Sequence, residues 1–495
     1  MSLKSKKLSL IAVLALLGGT LVAPPAWAAT VNCSTGGSIT ITDNVVTSHT
    51  TCTGSVEIPN SVTAIGDRAF GDATSLTSIT IPNSVTTIGY RAFGDATSLT
   101  SITIPNSVTT IGDQAFFGAN SLTSVTFEAG SVLTSIGDYA FYDATSLTSI
   151  TIPNSVTTIG DQAFFGATSL TSITIPNSVT TIGDLAFTHA TSLTSITIPN
   201  SVTTIGEYMF YGATSLTSVT FEAGSVLTTI GDLAFSYATS LTSITIPNSV
   251  TTIGELAFGD ATSLTSITIP KSVTTIGEMA FVRTTALKTV TFASASALAS
   301  IGNLAFYGAT SLTSITIPNS VTTIGDYAFF GATSLTSISI PSSVTSIGSY
   351  AFTNASELKS ITFAGDAPSV GSSAFNNVGA DLVVNVNFAA TGFGEATTWN
   401  GLTIVRASEN GPVDCSAGGS FTITDNVVTG STNCAGEAVI PNSVTSIANR
   451  AFHSASALQT VSFAAGSALA SIGNSAFDGA SALTSITIPN SVTSI

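Results

Sequence analysis

Few residues of this chain have the types and spacing that catalysis or metal binding requires. The three histidines, His49, His189 and His453, lie far apart and form no metal-ligand or catalytic-triad spacing. The abundant serines have no recognisable base partner. The glycines recur at a long regular interval and form no phosphate-binding loop. We therefore expect a non-enzymatic protein with no cofactor and no metal site.

Four cysteines offer a second kind of chemistry, disulfide formation. Cys33 and Cys52 have the same separation along the chain as Cys415 and Cys434. Each pair encloses the same sequence, Ile-Thr-Asp-Asn-Val-Val-Thr. Duplicated spacing of this kind predicts two local disulfides, Cys33–Cys52 and Cys415–Cys434, which form when a chain is exported from the cytoplasm. The alternative is metal binding, but no second cysteine pair lies nearby in the sequence to complete a metal site.

Carboxylates follow a recurring glycine in eight successive stretches of the chain. They are Asp113, Asp138, Asp161, Asp184, Glu207, Asp232, Glu255 and Glu278. At this position a carboxylate suits a helix N-terminus, where it accepts backbone N–H groups and meets the positive end of the helix dipole. The alternative is weak Ca²⁺ binding between neighbouring carboxylates, although no Asp-x-Asp-x-Asp-Gly loop is present.

Aromatic residues vary between otherwise similar stretches, next to the repeated glycine or the repeated phenylalanine. Aromatic side chains are enriched in protein interfaces, so this set is our candidate partner-binding surface. The alternative is that the rings pack between neighbouring turns at the periphery. The set comprises Tyr90, Phe117, Tyr139, Tyr142, Phe165, Tyr208, Tyr211, Tyr307, Tyr327 and Tyr350.

Paired hydroxyl residues recur as well, for example Ser78 with Thr80 and Ser149 with Thr151. On a strand, residues two apart point to the same side, so these pairs predict a nearly uncharged hydroxyl face. Such a face is either a soluble surface with good strand propensity or a contact surface for protein or glycan. It resembles the threonine arrays of ice-binding proteins only loosely.

The composition of the 495 residues excludes several classes of function. Charged residues make up 8% of the chain and the formal net charge is −16. A general nucleic-acid binder needs clustered positive charge, which this chain lacks. The same acidic balance disfavours electrostatic attachment to anionic lipid. After the N-terminal region, Thr, Ser, Asn or Gly interrupts every apolar stretch, so we expect no membrane span in the mature chain.

The N-terminus has the features of a secretory signal peptide. Lys4, Lys6 and Lys7 precede an apolar run from Leu8 to Val22, and Ala26-x-Ala28 provides a small-residue cleavage site. The run is too short for a comfortable membrane span. We expect cleavage before Ala29 and a secreted or cell-surface protein, a retained N-terminal anchor being the alternative.

A repeat with a period of about 23 residues determines the fold class. Thirteen units open between Ile58 and Ile340, and those that open at Phe127, Phe221 and Phe292 are two residues longer and have a longer turn. A period of roughly 20–29 residues with a Leu-x-x-Ile-x-Ile core is typical of a solenoid, in which each turn buries its apolar face against its neighbours.

One unit shows which side chains point inward. Leu76, Ile79 and Ile81 fit a short strand, Pro82 begins a turn, and Val85 and Ile88 form a second inward pair. The spacing of Ala92, Phe93 and Ala96 predicts a short helical turn. The phenylalanines then form an aromatic spine, which contains Phe70, Phe93, Phe116, Phe141, Phe164, Phe187, Phe210, Phe235, Phe258, Phe281, Phe306, Phe329 and Phe352.

The pattern Leu-x-x-Ile-x-Ile-Pro-x-x-Val-x-x-Ile-Gly-x-x-Ala-Phe closely resembles the BspA-like (TpLRR-type) leucine-rich repeats of bacterial surface proteins. The resemblance covers about two thirds of the chain. It implies a right-handed solenoid with a parallel sheet on one side and a secreted or wall-associated role, often adhesion. The family commonly has Cys or Ala where this chain has Ala73, Ala96 and Ala119. It has no catalytic residues to transfer to this chain.

The expected domain organisation follows from the repeats, the cysteine pairs and the changes of pattern between them. A leucine-rich repeat solenoid, mostly β with short helical turns, is flanked by caps that cover its open ends. The expected segments are a signal peptide (1–28), an N-terminal cap (29–57), thirteen repeats (58–362), a C-terminal β cap (363–405), a linker (406–412), a second N-terminal cap (413–439) and a second, truncated array (440–495).

These features lead to one expected function and one alternative. We expect a binding or adhesion module at the bacterial cell surface, with an extracellular protein or glycan as its partner. The alternative is a structural surface or biofilm component without a specific ligand. Because the last turn stops midway at Ile495, we also expect a truncated array that self-associates through an open C-terminal end.

Overall fold

The computed structural model describes residues 28–387, 390–394, 397–406, 411–464 and 467–495. Residues 1–27 of the expected signal peptide and 407–410 of the expected linker lie outside them. In the part of the chain that is described, no helix has the length and apolarity of a membrane span.

Each repeat unit forms one coil of a β-solenoid, with a longer strand and a two-residue strand on different faces. Within the longer strand Ser101–Ile104, Ile102 and Ile104 are buried while Ser101 and Thr103 are exposed, as alternation along a strand requires. The longer strands define the long-strand face, and they are Leu76–Thr80, Ser101–Ile104, Ser124–Phe127, Ser149–Thr151, Ser172–Thr174, Ser195–Ile198, Ser218–Phe221, Ser243–Thr245, Ser266–Ile269, Thr289–Phe292, Ser314–Thr316, Ser337–Ile340 and Ser360–Phe363.

The two-residue strands define the short-strand face, and equivalent positions of most successive coils pair in parallel on both faces. Ile65 pairs with Ile88 on this face, and Ile173 pairs with Ile150 on the other. The two-residue strands are Ala64–Ile65, Thr87–Ile88, Thr110–Ile111, Ser135–Ile136, Thr158–Ile159, Thr181–Ile182, Thr204–Ile205, Thr229–Ile230, Thr252–Ile253, Thr275–Ile276, Ser300–Ile301, Thr323–Ile324, Ser346–Ile347 and Ser369–Val370.

The expected short helical turn is wrong, because the described residues contain no helix and this segment is a run of overlapping turns. Within one coil, the N–H groups of Ala69, Gly71 and Ala73 donate to the carbonyl three residues earlier. The residues between them donate to the next coil instead, as Phe70 does to the carbonyl of Ala92 at 2.8 Å. A helix would need every one of these N–H groups for its own i→i−4 bonds, so stacking prevents it.

A continuous stack of phenylalanine rings occupies the core, as the sequence predicts. The ring centroids of Phe70 and Phe93 are 5.2 Å apart, with 4° between the planes. The stack continues to Phe375, which lies 5.6 Å from Phe352. These rings exclude water from the centre of every coil and hold neighbouring coils in register.

A three-stranded antiparallel unit covers the N-terminal end of the coils. It comprises Ala29–Asn32, Gly36–Thr42 and Val45–Glu57, and the last of these continues the parallel ladders of both faces. The disulfide Cys33–Cys52 joins two of its segments, with Cα atoms 5.5 Å apart. His49 stacks on Phe70 at 6.1 Å and so covers the first ring of the spine.

After Phe363 the pattern of coils changes. Val383–Val386 and Leu402–Arg406 extend the long-strand face in parallel, and Thr398–Trp399 pairs antiparallel with Leu402–Arg406. The Trp399 ring packs against Phe363 at 5.3 Å.

A second core begins with the second cysteine pair. Its buried residues include Phe421 and Phe452, and Cys415 and Cys434 form a disulfide with Cα atoms 5.4 Å apart. The strands of this region are Gly411–Asp414, Ser420–Thr424, Val427–Thr432, Gly436–Ile440, Ser446–Ile447, Leu458–Phe463, Ser471–Ile472 and Ser485–Ile486.

Candidate binding surface

Where the residue that follows a spine phenylalanine is aromatic, its side chain is only partly buried and lies on the outer edge of the coil. Because coils stack in register, aromatic side chains at this position in successive coils are brought together. The rings of Phe117 and Tyr142 stack with 4.8 Å between centroids, and those of Tyr142 and Phe165 with 4.7 Å. These three predicted residues therefore form a continuous partly exposed surface.

The surface continues through three further coils by edge-to-face contacts. The ring centroid of His189 lies 5.7 Å from that of Phe165 and 5.5 Å from that of Tyr211. The ring centroids of Tyr211 and Tyr237 are 5.4 Å apart. Edge-to-face packing of this kind is a favoured geometry for aromatic pairs. We name the set Phe117, Tyr142, Phe165, His189, Tyr211 and Tyr237 the outer aromatic strip.

Tyr237 and His189 are members of the strip that sequence reasoning missed. Both lie two residues after a spine phenylalanine rather than one. Where the first of these positions is a small residue, as Thr188 and Ser236 are, the second carries the side chain that continues the strip. This exchange between adjacent positions is visible in the sequence and is the signal that would have identified them.

Glycine occupies the second position after five of the spine phenylalanines, and three of these glycines directly follow members of the outer aromatic strip. Gly118, Gly166 and Gly212 have φ of 68°, 69° and 68°. A Cβ at Gly212 would lie 2.6 Å from Nδ1 of His189. A left-handed backbone does not by itself require glycine, since His189 and Tyr237 have φ of 58° at the equivalent position. Glycine is needed at Gly212 because the side chain of His189 in the preceding coil leaves no room for a Cβ.

A shorter aromatic group lies further along the same edge. Tyr307 stacks on Phe330 at 4.9 Å, Tyr327 lies 5.7 Å from Phe330, and Tyr327 stacks on Tyr350 at 4.8 Å. Phe330 was also missed by sequence reasoning, although it directly follows the spine residue Phe329. Tyr307, Tyr327 and Tyr350 are thus brought together, in a group separate from the outer aromatic strip.

The remaining predicted aromatics lie beside the strip. Tyr139 and Tyr208 are tilted against Tyr142 and Tyr211, at 5.8 and 5.5 Å. Tyr90 is exposed, donates a 3.2 Å hydrogen bond from its hydroxyl to Oε1 of Gln114, and has the Arg68 guanidinium 5.7 Å from its ring centroid.

Charged side chains lie near the ends of the outer aromatic strip. The Arg91 guanidinium lies 5.3 Å from the Phe117 ring centroid and pairs with Asp95. At the other end Arg283 pairs with Asp260 at 2.9 Å. The hydrogen bond from Arg283 to Asp260 raises the pKa of the guanidinium above its ordinary value. The arrangement is an apolar strip with a polar rim, which is common in protein interfaces.

The electrostatics of the strip favour neutral tyrosines. Burial, then the carboxylate of Asp143, then Tyr139 raise the pKa of Tyr142 above 10.0. Burial raises the pKa of Tyr211 as well, with smaller contributions from Tyr237, Tyr208 and Asp260. At neutral pH both hydroxyls are protonated and available as hydrogen-bond donors to a partner.

The carboxylates after the repeated glycine do not cap helices, which corrects that expectation. Oδ1 of Asp138 accepts the backbone N–H of Asp161 in the next coil at 2.8 Å, and Oδ1 of Asp161 accepts that of Asp184 at 2.9 Å. The same bond recurs from Asp184 to Glu207 at 2.9 Å. These aspartates satisfy backbone donors between coils. Within the described ranges, no three His, Cys, Asp or Glu side chains form a metal-binding group.

The chain matches the family described as "BspA type Leucine rich repeat region (6 copies)" over residues 39–143, 134–265, 257–380 and 422–495, which together exceed half of its length. No curated protein sequence matches it significantly.

Three solved structures illustrate the similarity. A leucine-rich repeat protein from Bacteroides ovatus is 29% identical, with a TM-score of 0.63, and the match covers 77% of this chain and 98% of that one. A leucine-rich cell surface protein from Faecalibacterium prausnitzii is 26% identical over 70% and 96% of the two chains, with a TM-score of 0.35. The pneumococcal vaccine antigen PcpA is 24% identical over 77% and 94%, with a TM-score of 0.41.

Proposed function

The chain belongs to the BspA-type leucine-rich repeat family, and on that premise we propose that it is an exported, non-catalytic binding protein of the bacterial cell surface. Its partner is an extracellular protein that docks on the outer aromatic strip. The stacked rings of Phe117, Tyr142 and Phe165 are the observation that carries this proposal.

Three properties of the strip support protein binding. Its rings are rigid and partly exposed, so contact area is gained at a small cost in side-chain entropy. Tyrosine is enriched at binding hot spots, and the hydroxyls of Tyr142 and Tyr211 are protonated at neutral pH. The rim carries positive and negative side chains in two Arg–Asp ion pairs. These charges can orient a protein partner, and they do not form the positive patch that would attract nucleic acid.

Two properties of the chain support export. The signal-peptide pattern precedes Ala29. All four cysteines are disulfide-bonded, and structural disulfides persist in oxidising compartments outside the cytoplasm.

A binding assay with the mature chain, residues 29–495, tests the proposal. Surface plasmon resonance against a panel of purified extracellular-matrix proteins should give saturable binding to at least one of them. The double variant Tyr142→Ser, Phe165→Ser removes the centre of the strip and should weaken that binding at least tenfold. The matched control Ser149→Ala, Thr151→Ala on the long-strand face should leave it unchanged.

Binding that does not saturate, with wild type and variant alike adhering to every surface and to each other, would contradict the proposal. That result would favour the alternative, a structural surface component without a specific ligand.

A further inference from the structure

Among the thirteen repeats, the three longer units, which open at Phe127, Phe221 and Phe292, differ from the others in the burial of their first residue. In the ten shorter units this residue is an isoleucine with at most 8% of its surface exposed, and Ile104 and Ile198 are fully buried. In the longer units it is a phenylalanine, and each of these rings is only partly buried. The long-strand face therefore presents an aromatic ring to solvent at three places.

The backbone explains this exposure. Ser124–Phe127 pairs along its full length with the preceding strand, Ser101–Ile104, but with the following strand it pairs only at Ser124 and Ser149. The longer coil continues past its strand, and the N–H of Glu128 donates to the carbonyl of Ile104 at 3.0 Å. The shorter coil that follows turns earlier, so the two neighbouring coils diverge.

Each divergence opens a groove on the long-strand face. The grooves beside Phe127, Phe221 and Phe292 have volumes of about 520, 430 and 600 Å³, within the range of small-ligand sites. The first groove lies between the loop that follows Phe127 and the Pro153-Asn154-Ser155 turn of the next coil. Its walls carry the hydroxyls of Thr126 and Thr151.

The first two grooves are held open by equivalent hydrogen bonds. The N–H of Asn106 donates to Oε2 of Glu128 at 3.2 Å, and Oγ of Ser155 donates to the carbonyl of Ser131 at 2.9 Å. In the second groove Asn200 donates to Glu222 at 3.3 Å, and Ser249 donates to the carbonyl of Ser225 at 3.0 Å. These bonds fix the loop against the coil on either side, so the grooves are preformed.

The third groove has the same shape with different polar groups. Ala293 replaces the glutamate, so this groove has no carboxylate in its lining. Oγ of Ser320 corresponds to that of Ser155, but it is buried and has no hydrogen-bond partner among the described residues. A buried hydroxyl without a partner carries an energetic cost that a ligand or a bound water would relieve.

We propose that the three grooves bind a neutral polysaccharide, with a sugar ring stacked on Phe127, Phe221 or Phe292 and its hydroxyls bonded to the walls. An aromatic ring covers the apolar C–H face of a sugar. Serine and threonine hydroxyls, with an asparagine amide such as that of Asn154, both donate and accept hydrogen bonds, as an uncharged polyol requires. The inference goes beyond the protein partner of the outer aromatic strip and does not depend on it.

Charge and repetition specify the ligand further. The net charge of −16 and the carboxylates of Glu128 and Glu222 disfavour an anionic polymer. The grooves lie on one face, four coils and then three coils apart along the array. A single polysaccharide chain that reaches two of them gains affinity by avidity, so the polymer binds more tightly than its short oligosaccharides.

Affinity electrophoresis and isothermal titration calorimetry of the mature chain test the proposal. The probes are three soluble neutral polysaccharides, a mixed-linkage glucan, a galactomannan and an arabinoxylan, with polygalacturonate as the anionic comparison. We expect at least one neutral polymer to retard the protein and polygalacturonate to leave it unretarded. The triple variant Phe127→Ile, Phe221→Ile, Phe292→Ile should weaken this binding at least tenfold.

Isoleucine is the matched substitution because the other ten units have it at this position, so thermal unfolding should be little changed. A second triple variant, Asn154→Ala, Asn248→Ala, Asn319→Ala, changes exposed residues and gives an independent reading if the first variant unfolds. The strip variant Tyr142→Ser, Phe165→Ser should bind the polysaccharide normally, which separates this proposal from the protein-binding one. No retardation by any neutral polymer, or equal retardation of the groove variants, would overturn the inference.

Discussion

The rings of Phe164 and Phe187 stack with 5.5 Å between their centroids and 3° between their planes. Both residues are fully buried. Each ring belongs to a different coil, so this contact joins neighbouring repeats rather than closing one of them. The stability of such an array is approximately a sum of repeat and nearest-neighbour terms, and we expect the spine to supply much of the neighbour term.

Replacing Phe187 by alanine should destabilise the protein by roughly 3–5 kcal/mol, because it removes a buried ring and leaves a cavity that rigid neighbours fill poorly. Urea unfolding followed by circular dichroism measures this loss. The exposed control Ser172→Ala should change stability by less than about 0.5 kcal/mol. A loss below about 1 kcal/mol for Phe187→Ala would contradict its place in the spine.

Replacing Asp161 by alanine should cost about 1 kcal/mol, because the N–H of Asp184 in the next coil loses its acceptor. Asp161→Asn keeps the Oδ1 atom and should be nearly neutral. The protein itself supports this expectation, since Oδ1 of Asn303 accepts the N–H of Asp326 at 2.9 Å. Thermal melts of both variants check the pair. Equal destabilisation by Ala and Asn would show that charge, rather than the hydrogen bond, is what the position supplies.

Removing the first disulfide with Cys33→Ser, Cys52→Ser should lower stability by about 3 kcal/mol, because the unfolded chain regains loop entropy. The second pair, Cys415 and Cys434, belongs to a separate core. Its removal should therefore lower the melting temperature of that core and leave the melting temperature of the thirteen repeats unchanged. Differential scanning calorimetry resolves the two. A single transition that both changes shift equally would contradict the independence of the cores.

Tyr142 and Tyr211 should ionise at higher pH than ordinary tyrosine, because burial raises the pKa of both. The double variant Tyr142→Phe, Tyr211→Phe identifies their share of the phenolate absorbance in a spectrophotometric titration. The unfolded chain ionises first, near pH 10.0, and so binds fewer protons than the folded chain above that pH. The contribution of both groups to stability is therefore complete below the unfolded pKa and falls as the pH rises through the folded pKa values. A titration that matches free tyrosine would contradict their burial.

The sequence predicts the repeating coil, but it does not predict the backbone conformation of the segment that contains the spine phenylalanine. Ala92, Phe93 and Ala96 have helical spacing and are buried, so the inward positions were correct. The backbone there makes overlapping turns because alternate N–H groups bind the next coil, as Phe93 does to the carbonyl of Ala115 at 2.7 Å. Periodicity reports which side chains are buried, and it does not report where the backbone hydrogen bonds go.

The candidate surfaces, too, can be predicted only in part from the sequence. The positions after each spine phenylalanine can be identified in the sequence. The contact of His189 with both Phe165 and Tyr211 depends on the orientation of side chains in adjacent coils. The longer turn after Phe127 is visible too. The groove beside it lies where a longer coil is followed by a shorter one, and there the two strands pair only at Ser124 and Ser149.

The sequence by itself determined the repeat, the inward residues, the spine and the cysteine pairs, because each depends on local pattern and spacing along the chain. The tertiary structure decided which outer rings touch, which N–H each aspartate accepts and where the strands diverge. These depend on the offset between successive coils, a property of two stacked units that neither unit encodes alone.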